Sequence, residues 1–116
     1  MVKQIPSSAQ VVIVGGGVIG CSVAYHLTKL GIKDIVLLER KQLTCGTTWH
    51  AAGLVPTLRA NYSMSMLANY SASLYETLEA ETGQATGYTR NGSITVATNK
   101  ERFSELKRGA SMARVA

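Results

Sequence analysis

"VVIVGGGVIGCSVAYHLTKLGIKDIVLLE", residues 11–39, decides the fold. Its first residues, "VVIV", form a short β-branched apolar run of the kind that fills a strand buried on both faces of a parallel sheet. A helix is expected from about Gly17 to Leu30, with Val23, Leu27 and Leu30 on one stripe and Gly31 ending it in a left-handed conformation. "GIKD" then turns the chain into "IVLLE", a second buried strand that ends at Glu39. Strand, helix and strand in this order make the Rossmann-like βαβ start of an α/β, doubly wound parallel sheet.

Between the first strand and the helix, Gly15, Gly17 and Gly20 supply a G-x-G-x-x-G fingerprint. Gly15 permits the tight turn, Gly17 lets the backbone approach a pyrophosphate, and Gly20 lets helix and strand pack closely. The amides of Val18 and Ile19 fall at the helix amino end, where unpaired N–H groups and the dipole favour phosphate. Glu39 lies 19 positions after Gly20 and offers a carboxylate to a ribose hydroxyl. The combination points to an adenine dinucleotide. A carboxylate there disfavours a 2′-phosphate, so NADP is the least suitable ligand despite the neighbouring Arg40.

From Arg40 to about Ser63 the sequence has no clean period, and a loop with one short helix starting near Gly46 is expected. A loop of this length in a compact domain is usually functional. Gly46 and Gly53 permit close approach, while Thr47 and Thr48 offer hydroxyls and amides to phosphate or ribitol. A plain NAD-binding module would run from its second strand into another crossover, so this segment favours FAD over NAD.

Further on, Leu67, Tyr70, Leu74 and Leu78 recur at helical spacing, predicting an amphipathic helix from about Ser65 to Glu81, closed by Gly83. "GYTRNGSITVAT" predicts two strands about Asn91-Gly92, a dipeptide suited to a tight hairpin turn. A polar helix follows. The expected organisation is a βαβ unit with its flavin loop over residues 1–63, and the beginning of a helical and antiparallel substrate-side region over 64–116. Two buried parallel strands do not make a doubly wound sheet, so the domain is expected to be incomplete: the amino-terminal piece of a longer protein, or one completed by a partner.

Composition bounds the function. The 116 residues carry a net charge of +5, but the twelve basic residues are scattered, without the clustered footprint of nucleic-acid binding. No apolar run approaches the ~20 residues of a membrane span. Cys21 and Cys45 share no metal spacing and are too few for a disulfide framework, which favours a reducing compartment. "MVKQIPSSAQ" has neither a secretory nor a transit pattern, and a cytoplasmic location is expected. No carboxylate pair, no nucleophile with a base and no metal cluster stands out, so no catalytic residue is assigned. His26, near the end of the first helix, reads as a cap or surface residue.

Residues 11–55, ending in "LTCGTTWHAAGLV", resemble the amino-terminal flavin-binding segment of the dimethylglycine dehydrogenase and sarcosine dehydrogenase family, a branch of the D-amino-acid-oxidase-like flavoproteins. The resemblance continues more loosely through "LYETLEAETGQATGYTRNGSITVAT", and its most specific part is T-W-H-A-A-G. In that family the histidine of this motif carries FAD covalently, through an imidazole nitrogen bonded to the flavin 8α-methyl group; the matching residue is His50. The resemblance also implies cofactor contact along Thr48, Trp49, Ala51, Gly53 and Leu54.

The family's reaction is oxidative N-demethylation of a small N-methyl amino acid, with electrons passed to an electron-transferring flavoprotein. Tetrahydrofolate enters only through a separate carboxyl-terminal domain. The family's flavoprotein half is several times longer than this chain, and the chain alone is expected to be inactive. Two relatives of other kinds are compatible with the same residues: a sarcosine or glycine oxidase, and a non-catalytic regulatory flavoprotein like the regulatory subunit of pyruvate dehydrogenase phosphatase.

Overall fold

The computed structural model describes residues 5–115, which fall into two compact units, one up to Gly53 and one from Leu54. The division lies ahead of the boundary expected between residues 63 and 64. In the first unit, β1 (Val11–Val14) pairs in parallel with β2 (Ile35–Leu38), and α1 (Val18–Lys29) makes the crossover between them. Val11 is opposite Ile35 and Val14 is opposite Leu38. Parallel strands need such a crossover, and the βαβ unit expected from residues 11–39 is present.

The phase of α1 differs from the expected stripe. Val23 and Leu30 are exposed, whereas Gly20, Ala24 and Leu27, spaced i, i+4 and i+7, are half-buried. Gly20 sets this phase: a Cβ there would overlap the Gly15 carbonyl oxygen and touch the Ile13 side chain. The glycine must therefore face the sheet, and Ala24 and Leu27 follow it round. Gly31 ends the helix as expected, at φ +89°. Its N–H donates to the Thr28 carbonyl and that of Ile32 to the Leu27 carbonyl, the paired bonds of a Schellman motif.

The two strands were expected to be buried on both faces. Here Val11 and Ile13 are half-buried, while Val12 and Val14 are exposed, Val14 by 83%. The alternation in β1 follows from the period of a strand, residues that do not point toward α1 pointing away from it, whereas in β2 Ile35, Val36 and Leu37 are all half-buried and only Leu38 is exposed.

In the second unit, α2 (Tyr62–Thr82) begins at Asn61, whose side chain accepts from the Met64 N–H, and ends at Gly83 in the left-handed region. Its inward face meets the expected stripe only in part: Leu74 and Leu78 are half-buried. Leu67 and Tyr70 are exposed, and the buried positions are Ser65 and Ala72, flanked by half-buried Ala68 and Tyr75. Small residues let other backbone come close: the Ser65 hydroxyl accepts from the Arg59 N–H at 3.0 Å. Beyond Gly83 the chain turns back along α2, with the Tyr75 and Tyr88 rings 5.9 Å apart and Arg90 paired with Glu76.

The hairpin expected at Asn91-Gly92 does not form; residues 85–97 carry no strand. A two-residue hairpin turn of that type needs positive φ at both central positions, and only Gly92 has it. Ile94 and Val96 are 94% and 79% exposed, so no apolar face holds the segment in a sheet. The unit closes with α3 (Lys100–Ala113), capped by the Asn99 side chain. Among the described residues no helix is long and apolar enough to cross a membrane.

Candidate functional site

The site lies in the first unit, where the turn after β1 meets the loop after β2. Gly15 has φ +109°, a backbone that side chains rarely adopt, so the chain reverses sharply before α1. Gly16 is buried in that turn. Its N–H donates to Glu39 Oε2 at 2.8 Å, and the other carboxylate oxygen accepts from the Lys41 N–H at 2.9 Å. The Gly16 amide, chiefly, and then the Lys41 amide hold the Glu39 carboxyl below its usual range, with smaller help from the Arg40 amide and charge. Glu39 is thus kept as an anion at the end of β2, beside the glycine turn.

The loop after β2 folds back onto this turn. The Thr44 N–H donates to the Gly16 carbonyl at 2.8 Å, and the Thr48 hydroxyl accepts from the Val18 N–H at 2.9 Å. Thr48 belongs to a 3₁₀ turn, Thr47–His50, which Gly46 precedes. A Cβ on Gly17 would sit 3.1 Å from the Thr48 hydroxyl, so the missing side chain leaves room for the loop.

Gly15, Gly17, Val18, Gly20, Glu39 and Thr48 are therefore brought together. Ile19 is also in the first turn of α1, its side chain 78% exposed. Arg40, Thr47, Trp49, His50 and Ala51 have exposed side chains along the same loop, and Gly53 takes φ +72°. Gly46 has φ −90° and open space at its Cβ position, so nothing local requires a glycine. Leu54 opens the second unit and is 83% exposed.

Sequence reasoning missed Gly16, Leu43 and Thr44. A Cβ on Gly16 would strike Leu43 Cδ2 at 2.5 Å and Glu39 Cβ at 3.0 Å. The third consecutive glycine in "GGG" was a usable signal; the path that brings Leu43 and Thr44 over it was not. Among the described residues no group of His, Cys, Asp or Glu has the arrangement of a metal site.

A strand, a glycine turn, a helix amino end and an ionised acid at the end of the next strand define a dinucleotide-binding βαβ unit. Its residues fit the adenosine and diphosphate end of FAD: Glu39 is held as an anion, and α1 directs its amino end at the glycine turn, although the Val18 N–H expected to face phosphate is taken by the Thr48 hydroxyl. The family model described as "FAD dependent oxidoreductase" matches residues 10–116, and the chain belongs to that family.

Its relatives include the mitochondrial pyruvate dehydrogenase phosphatase regulatory subunit of Mus musculus, 52% identical over 90% of this chain and 12% of that protein. The mitochondrial dimethylglycine dehydrogenase of Rattus norvegicus is 50% identical over 85% of this chain and 12% of its own length. The mitochondrial sarcosine dehydrogenase of Homo sapiens is 47% identical over 91% and 12%. The chain thus spans about an eighth of the length of these relatives. The L-amino acid deaminase from Proteus vulgaris has the same fold over 92% of this chain and 25% of its own, with a TM-score of 0.83 at 20% identity. The expected incomplete α/β start, a parallel strand pair followed by helices, is the fold found.

Proposed function

We propose that this chain is the cofactor-binding start of an FAD-dependent amine dehydrogenase that oxidatively N-demethylates a small N-methyl amino acid such as dimethylglycine or sarcosine. The observation that carries the reading is the loop after Glu39, which folds back so that Thr44 bonds the glycine turn and Thr48 the first residue of α1. Bound FAD supplies the two-electron oxidation of the amine. Glu39 holds the ribose, α1 holds the diphosphate, and Thr47, Thr48, Trp49, Ala51, Gly53 and Leu54 follow the cofactor toward its ring. His50, exposed on its turn, is the proposed point of covalent attachment. Binding of the amine substrate and transfer of electrons to an electron-transferring flavoprotein belong to the protein at its natural length. Tetrahydrofolate would enter only with a carboxyl-terminal domain.

Acid precipitation of that protein tests the attachment. Yellow colour is expected to stay with the precipitate and to leave it in His50→Ala; colour lost from the unaltered protein sinks covalent attachment. Reduction of the flavin by dimethylglycine or sarcosine, without oxygen consumption, separates a dehydrogenase from an oxidase.

A second reading has its own support, because one relative at 52% identity is named a regulatory subunit. In that case the protein binds FAD but no N-methyl amine reduces it. Two free cysteines fit a reducing compartment. Cell fractionation decides between the proposed cytoplasmic location and the mitochondrion that the relatives' names carry.

A further inference from the structure

Thr44 has φ +64°, the one left-handed non-glycine among the described residues. A β-branched residue is a poor occupant of that conformation, so surrounding structure must hold it there. Its backbone makes two bonds. The N–H reaches the Gly16 carbonyl at 2.8 Å, and the carbonyl accepts from the Trp49 N–H at 3.1 Å. The Trp49 N–H also lies 3.2 Å from the Gly46 carbonyl, and the Cys45 N–H donates to Gln42. Thr44 is therefore a two-way link. One side ties it to the turn that carries the fingerprint, the other to the residue between Thr48 and His50.

We propose that Thr44 is a positioning residue: its left-handed backbone staples the 44–50 segment to the Gly16 carbonyl and sets where Thr48, Trp49 and His50 meet the cofactor. At Thr44 the N–H and the carbonyl bond different partners, Gly16 and Trp49, and a change of sign in φ would swing one of the two away. This inference rests on the FAD reading, but it concerns the loop and not the adenosine end, which Glu39 holds.

The test uses the natural-length protein in a His50→Ala background, so that FAD binds reversibly, with FAD and AMP affinities measured by calorimetry. AMP carries the adenine, ribose and one phosphate, and engages the Glu39 end without needing the ring-side loop. Thr44→Pro removes the N–H and forbids positive φ; FAD affinity is expected to fall at least tenfold with AMP affinity within threefold of the parent. Thr44→Gly keeps the N–H and adopts the same φ without strain, and is expected to keep both affinities. Unchanged FAD affinity in Thr44→Pro overturns the proposal. So does a parallel loss of AMP, which would mean a damaged βαβ unit, or a loss in Thr44→Gly equal to that in Thr44→Pro. A parent that binds AMP but not FAD overturns the FAD reading and this inference with it.

Discussion

Glu39 is where charge and geometry meet. Both of its carboxylate oxygens already accept backbone N–H groups, yet each oxygen has a second lone pair for a ribose hydroxyl. Because its folded pKa is lowered, the favourable contribution of the anion is fully present above the unfolded value of about 4.3 and is lost as pH falls through the lower folded value. The Glu39 contribution to AMP binding is expected to persist down to about pH 4.3 and to be lost only below it, apart from the protonation of the AMP phosphate near about pH 6. Glu39→Gln should weaken AMP roughly tenfold or more at neutral pH and remove the Glu39 part of that acid limb; calorimetric titration across pH checks both. Gly20 makes a harder prediction. Its added Cβ would meet backbone oxygen, which has no rotamer to escape into, so Gly20→Ala should cost about 3 kcal/mol or more in thermal unfolding. Gly16→Ala meets the movable Leu43 first and should cost less while weakening AMP through Glu39. Gly15, Gly17, Gly20 and Glu39 were legible because each answers a local steric or charge requirement at fixed spacing. Thr44 was not, because a threonine carries no sign of positive φ.

At the level of elements, helix ends were easier to read than helix faces. Gly31 and Gly83 stop α1 and α2 where the sequence places them, since a left-handed residue is needed there and only glycine adopts it without strain. Gly31→Ala should therefore cost roughly 1–2 kcal/mol, with faster amide exchange over the last turn of α1, while the fingerprint end of the helix keeps its protection. The faces were misread because the expected stripes followed the largest apolar residues. In α1 the close approach at Gly20 dictates the phase, and in α2 Ser65 is inward because its hydroxyl meets the Arg59 backbone, with Ala72 buried two turns further on. The hairpin failed for a different reason. A strand pair is stabilised by what packs on its face, and Ile94 and Val96 have nothing on theirs.

For the whole molecule the open side of the β1–β2 pair carries the argument. Parallel sheets occur with both faces covered, because their strands are apolar on both sides and βαβ crossovers put helices on each. Val12 and Val14 are apolar, exposed and on the side of β1 that does not face α1. The relatives, of whose length this chain spans 12%, have ample sequence to supply further strands and a covering layer. If such a layer packs on this face in the natural-length protein, Val14 gains its value only there, at about 25 cal/mol per Å² of apolar surface removed from water. Val14→Ser is then expected to destabilise the natural-length protein by about 2 kcal/mol while leaving the unfolding of residues 1–116 unchanged within about 0.5 kcal/mol. Denaturant titrations of the two lengths, each with and without the substitution, measure the difference. Equal small effects in both would mean that the face stays open, and that the sheet of this protein is not the doubly wound one its first strands are built for.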